Sequence, residues 1–340
     1  MFDSILSAAQ QYGCKTEKNA PMSLYTTFRV GGPVELLVEP NSVDALEALL
    51  KAAKQDGVKP LVIGKGSNLL VPDEGLKGVV FHMGDDFSEI SYAGNDMIKA
   101  QAGATVINLC RFALEYSLSG LEFAYGIPGS VGGAVYMNAG AYGGEIGDSV
   151  VVVNHIDYDG NRGSWSPRQA GFSYRHSNYM DSDLIVTSVV VQLEKANPDA
   201  INMKMENIME RRRNKQPLEY GSAGSTFKRP EGYYAGALIE QSGLKGKLLG
   251  NSISIAGKSR GLHSIFSIQR AGSDQGGVVK RFHDTGIEGI KDPLGSVRKH
   301  MGVAERLSYD SLQIALVDIR CHRIIIHVLI DIECIDKTVV

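Results

Sequence analysis

Glycine, more than any other residue, restricts what this chain can become. There are 39 among 340 residues, and they gather in two places rather than spreading evenly. Glycine loses more freedom on folding than other residues, so such clusters mark sharp turns or places where backbone must come very close to something. The first cluster, Gly64-Lys65-Gly66-Ser67-Asn68-Leu69, follows the apolar run Leu61–Ile63. A dinucleotide fingerprint would need a third glycine and a helix next. Leu69 and the turn Val71-Pro72-Asp73-Glu74-Gly75 stand there instead, so the Rossmann reading is rejected. Backbone N–H groups in such a loop can still converge on an anion, with Ser67 and Asn68 adding side-chain bonds. A tight strand–strand turn explains the loop equally well. The second cluster is denser: Gly126-Ile127-Pro128-Gly129-Ser130-Val131-Gly132-Gly133, then Asn138-Ala139-Gly140-Ala141-Tyr142-Gly143-Gly144. A flat ligand laid against bare backbone explains that density; a glycine-rich structural corner is the alternative.

Around these loops the pattern is that of an α+β chain. Strands are expected at 34–40, 60–63, 79–82, 98–101, 150–158 and 183–194 from apolar, β-branched runs. Helices are expected near the N-terminus, from Asn41 or Ser42 to Gly57, from Thr105 to Ser119, and from Ile201 to Arg213. Asn197-Pro198 reads as a break. Arg211–Arg213 read as complement to the helix dipole and as a solvated end. Lys215–Tyr220 reads as a linker, with two halves of nucleotide-binding size before it.

Charge and cysteine usage exclude several classes. A net charge of −3 gives no global case for nucleic acid or an anionic membrane. Cys14, Cys110, Cys321 and Cys334 lack metal spacing, so no metal is expected and a reducing cytoplasm fits. The N-terminus lacks a basic segment followed by an apolar core and reads as an amphipathic helix rather than a signal peptide. No apolar run reaches the ~18–20 residues needed to span a bilayer.

Six strings occur in order: Thr27–Gly32 (TFRVGG), Gly64–Leu70 (GKGSNLL), Gly120–Gly144, Tyr174-Arg175, Ser222–Pro230 (SAGSTFKRP) and Ala235–Gly246. Together they resemble the UDP-N-acetylenolpyruvoylglucosamine reductase family, in the form with a short Tyr-Arg connection, over roughly residues 15–247. The resemblance implies a two-subdomain FAD-binding fold of the vanillyl-alcohol-oxidase type followed by an α+β substrate domain. The expected boundaries are 1–85, 86–215 and 216–248, with an atypical tail at 249–340. It implies a flavoprotein that reduces an enolpyruvyl ether on a UDP-sugar, with noncovalent FAD and NADPH, in peptidoglycan precursor synthesis.

Site residues follow by position. Gly64, Gly66, Ser67, Asn68, Leu69, Gly126, Ile127, Pro128, Gly129, Ser130, Gly133, Asn138, Ala139 and Gly140 are implied to bind FAD. Reduction of an alkene conjugated with a carboxylate pushes charge onto that carboxylate, and a fixed cation stabilises it. Arg175 is the implied cation, its planar fork matching a carboxylate; standing alone it would read as a surface ion pair. Ser225 is the implied proton donor to C2, a poor acid facing a strong base; alone it would read as a turn residue. Lys228 and Arg229 are implied substrate contacts, or else a solvated basic pair. Glu240 receives no catalytic role.

The family strings end near Leu248. Under a permitted codon choice, Ala256–Ser264 read one nucleotide later gives Gln-Glu-Asn-His-Ala-Gly-Phe-Ile, which contains the histidine string the family carries there. A +1 frame change near residue 248 is therefore expected, and sequencing the gene decides it. Neither Glu305 nor Glu333 is taken as the family's tail glutamate. An FAD-binding remnant with impaired turnover is the alternative reading, and the oligomeric state is not legible.

Overall fold

The computed structural model describes residues 1–216 together with 218, 221, 222, 237, 248, 249, 253, 254, 280 and 281. Ser225, Lys228, Arg229, Glu240 and the tail readings built on Ala256–Ser264 lie outside the described residues. The chain divides into two units: Met1–Pro21, Val34–Ser67 and Lys77–Arg212 form the first, and Met22–Pro33, Asn68–Leu76 and Arg213–Val340 the second.

In chain order the elements begin with α1 (Asp3–Tyr12), β1 (Lys15–Pro21), β2 (Pro33–Glu39), α2 (Val43–Gln55), β3 (Leu61–Ile63), β4 (Leu69–Leu70) and β5 (Leu76–His82). One sheet of the first unit has the order β1-β2-β5-β3, with β3 parallel to β5. Ser42 caps α2 by accepting the Ala45 N–H at 3.1 Å, as the sequence pattern anticipates. Leu46, Leu49 and Leu50 then fall on one face and meet Leu36, Val38 and Phe81 in the core. The Asp56 carboxylate receives the N–H groups of Ser4 and Ile5, tying the start of α1 to the end of α2.

The chain continues with β6 (Ile90–Gly94), β7 (Met97–Gln101), α3 (Val106–Glu115), β8 (Leu118–Ser119), α4 (Val131–Tyr136), β9 (Gly140–Ala141), β10 (Gly144–Glu145), β11 (Val150–Asp157), β12 (Arg162–Trp165), α5 (Pro167–Ala170), β13 (Leu184–Gln192), β14 (Glu194–Lys195) and α6 (Pro198–Lys215). The second sheet runs β12-β11-β13-β7-β6, with every neighbouring pair antiparallel. Val153, Ile156, Val189, Val191, Ile98 and Ala100 turn inward from it and join the same core.

The expected helix at 201–213 starts three residues earlier. Asn197 does not break the chain: its Oδ1 accepts the N–H groups of Asp199 and Ala200 at 2.8 and 3.2 Å. Pro198 takes the first helical position, where its missing N–H costs nothing. β1, β6, β12, α4 and α5 have no counterpart among the sequence expectations. β1 is exposed at its first five positions, so no alternation marks it.

In the second unit, the Ser222 N–H donates to the Thr27 carbonyl at 2.9 Å. The Thr27 hydroxyl donates to the Ser222 carbonyl at 2.6 Å. Two of the quoted strings, TFRVGG and the opening of SAGSTFKRP, are thereby fastened together.

Candidate functional site

The structure brings the two glycine clusters together within the first unit. A Cβ on Gly64 would overlap the Ser130 hydroxyl, and one on Gly129 would lie 3.3 Å from Ser67 Oγ. Gly64 must therefore be bare for the loops to meet. Gly66 and Gly129 are buried, whereas Pro128 and Gly133 are exposed. Ile127 packs on the core, and its N–H donates to the Ala124 carbonyl.

Part of the glycine density is structural. A Cβ on Gly132 would press on Ala102 Cβ at 2.8 Å, and one on Gly144 on the Phe123 ring at 2.6 Å. The first N–H groups of α4 are also spent inside the protein. Val131 donates to Ala104 and Gly132 to Ala102, and Gly133 donates to the Ser130 hydroxyl. Backbone donation from this loop to an anion therefore falls to residues before Val131.

Asn138 has φ +42° and is 1% exposed. Its Nδ2 donates to Glu145 Oε2 at 2.7 Å and to the Ser173 carbonyl at 2.8 Å. Its Oδ1 accepts the Gly147 N–H at 3.0 Å. The Asn138 side chain thus shapes the loop from within. Ala139 is similarly engaged, donating to Ala134 and accepting from Ile146.

Arg175 lies in a turn closed by reciprocal bonds between Ser173 and His176. Its φ of +55° is in the left-handed region, which a non-glycine residue seldom occupies without a reason. One end of its guanidinium donates to the Gly140 carbonyl, and Nη1 donates to the Asn138 carbonyl at 3.4 Å. Glu145 Oε1 stands 3.8 Å from Nη1, and the cation lies 5.0 Å from the Tyr174 ring centre. A Cβ on Gly140 would sit 3.1 Å from Nη1. Since a guanidinium has five donors, the bonds to Gly140 and Asn138 orient it without exhausting it.

Within the second unit, Leu69 is buried and pairs with Arg281 across an antiparallel bridge. Asn68 Nδ2 is buried without a hydrogen-bond partner. A buried orphan donor carries a desolvation cost until an acceptor arrives. Among the described residues no group of three or more His, Cys, Asp or Glu side chains could hold a metal, and no helix is long and apolar enough to cross a membrane. Sequence reading missed one feature, the inward turn of Arg212, whose Nε is buried. Its only signal was a place in a basic run that solvation already explained.

Two sheets sharing one core, with the two glycine loops meeting beside it, make this an α+β protein. Residues 34–162 match the FAD binding domain family, and residues 216–267 match the C-terminal domain of UDP-N-acetylenolpyruvoylglucosamine reductase. The second match runs past Leu248, where the quoted strings end. The chain is 46% identical over 234 residues to UDP-N-acetylenolpyruvoylglucosamine reductase of Syntrophomonas wolfei, covering 69% of this chain and 78% of the relative. It is 45% identical over 230 residues to the Clostridioides difficile reductase, covering 67% and 75%. The crystal structure of UDP-N-acetylenolpyruvylglucosamine reductase from Thermus caldophilus superposes with a TM-score of 0.62 at 32% identity, over 80% of this chain and 91% of that one. The chain belongs to the UDP-N-acetylenolpyruvoylglucosamine reductase family.

Proposed function

We infer that the chain catalyses the NADPH-dependent reduction of UDP-N-acetylglucosamine enolpyruvate to UDP-N-acetylmuramate as an FAD-dependent oxidoreductase, supplying precursor for peptidoglycan in the cytoplasm. The observation that carries this reading is the meeting of Gly64 and Ser67 with Gly129 and Ser130 in a chain 46% identical to a relative of that name. The residues present fit FAD: the Ser67 and Ser130 hydroxyls stand beside bare Gly129 and Gly64 where the two loops meet, a donor set that suits a pyrophosphate. When bound, FAD supplies the hydride chemistry that no side chain can.

The protein's own residues bind, orient and polarise. Gly64, Gly66, Ser67, Asn68 and Leu69 would hold the cofactor from the first loop, and Gly126–Ser130 with Gly133 from the second. The Asn138–Gly140 segment, braced by Glu145 and Arg175, would lie against it. Arg175 is permanently charged, and its orientation is set by two carbonyls. It is suited to the substrate carboxylate, where negative charge grows during reduction. By family position Ser225 delivers the proton to C2, and Lys228 and Arg229 hold anionic parts of the UDP-sugar.

The test uses the full chain. Purified protein should be yellow and should oxidise NADPH only when the enolpyruvyl UDP-sugar is added. Protein that is yellow yet inert with that sugar, or that consumes NADPH equally well without it, overturns the reading.

A further inference from the structure

The three arginines at the end of α6 are not equivalent. Arg211 is exposed and lies over the Tyr142 ring at 4.7 Å, as a dipole-complementing surface cation should. Arg212 instead turns into the protein. A Cβ on Gly126 would lie 2.9 Å from its Cδ and 3.4 Å from Met209 Cε. Gly126 has φ +102°, open to glycine alone, so the backbone there is shaped to admit the arginine stem. Arg212 Nε is buried and has no hydrogen-bond partner.

Burial drives the guanidinium's pKa down, with the neighbouring Tyr142 pulling the other way. Arginine nonetheless keeps its charge. A half-buried cation whose Nε–H is buried and idle costs stability until an acceptor arrives, and one bearing negative charge compensates best. If the role were only to fill space, methionine or leucine would do so at lower cost. The group sits on Gly126, the first residue of the second glycine loop.

We propose that Arg212 is a cofactor-binding residue whose Nε–H donates to an oxygen of FAD at the Gly126 end of this loop. The inference rests on the FAD site described above. The acceptor is a phosphate oxygen or a carbonyl oxygen of the flavin ring, and the experiment separates the two.

FAD affinity is measured by titrating apoprotein of the full chain, for wild type, Arg212→Met and Arg212→Lys, with Arg211→Met as control. Arg212→Met fills the same space without the orphan donor. Its apoprotein should melt at or above the wild-type temperature while FAD binds at least about tenfold more weakly, as loss of a charge-assisted bond implies. Arg212→Lys keeps the charge but lacks the Nε–H, and should also bind FAD more weakly. Arg211→Met should stay within about twofold of wild type. If the acceptor is a flavin carbonyl, the midpoint potential of the bound flavin also falls in Arg212→Met; if it is a phosphate, affinity falls alone. An Arg212→Met protein that binds FAD as tightly as wild type overturns the proposal, as does one whose apoprotein melts lower with no loss of affinity. Should Arg212→Met not fold, wild-type affinity in Arg212→Lys overturns it equally. A wild-type chain with no FAD affinity would refute the functional reading itself, a different failure.

Discussion

The side-chain amide of Asn138 donates to the Glu145 carboxylate at 2.7 Å, and the other oxygen of that carboxylate stands 3.8 Å from the Arg175 guanidinium. One buried amide thus sets the shape of the loop that Arg175 grips. Replacing Asn138 with Ala leaves the Gly147 N–H, the Ser173 carbonyl and a carboxylate oxygen short of partners. Chemical denaturation should show a loss of about 2–4 kcal/mol. Asn138→Asp places two carboxylates together and should recover stability as pH is lowered; equal stability of that variant at pH 5 and pH 8 would sink the account.

Gly64 has no room for a side chain beside Ser130. Gly64→Ala should lower the flavin content of purified protein at least about tenfold, because the two loops are forced apart. Adding Ser130→Gly removes the atoms it strikes and should restore part of the binding. If the double variant binds no better than the single one, the clash is not the cause.

For Arg175, Arg175→Lys keeps the charge but not the fork that reaches both Gly140 and Asn138. Turnover should fall by roughly 10²–10³, the usual scale for removing a preorganised charge stabiliser, while bound flavin stays near wild type. Full activity in Arg175→Lys would remove the residue from its proposed role.

His155 is buried, with Nδ1 2.9 Å from the Tyr179 hydroxyl and the Trp165 ring edge-on at 5.3 Å. Burial pushes its pKa below the usual 6.5, against a smaller opposing pull from Asp157. The unfolded chain then binds the proton more readily than the folded one. Stability present above pH 6.5 is therefore lost as pH falls below it, at no more than about 1.4 kcal/mol per pH unit for this group. His155→Gln should flatten the melting-temperature profile between pH 7 and pH 5. An unchanged profile would assign the acid sensitivity elsewhere.

The buried Cys110 thiol is pushed up to about 12, mainly by burial and secondarily by the Glu122 charge. Thiolate is the reactive form. Alkylation at pH 8 should therefore spare Cys110 in the native protein and reach it only on unfolding, as mass mapping of the modified peptide would show.

Local pattern alone made much of this molecule legible. Ser42 and Thr105 announce α2 and α3 because a cap and an apolar stripe act within a few residues. The apolar runs of β11 and β13 mark strands because both belong to a buried sheet. Asn197-Pro198 misleads because the same pair serves as a break or as a cap followed by a first helical proline. The exposed β1 carries no alternation to read.

The order and spacing of the quoted strings carried the resemblance to the family, and with it the cofactor class and the expectation for Arg175, since these depend on residue type and spacing. Tertiary structure alone decided which glycines make room for protein, that Asn138 works inward, and that Arg212 rather than Arg211 buries its guanidinium Nε. Those outcomes depend on which distant segments meet, and burial is a property of that meeting rather than of any residue's neighbours in the chain.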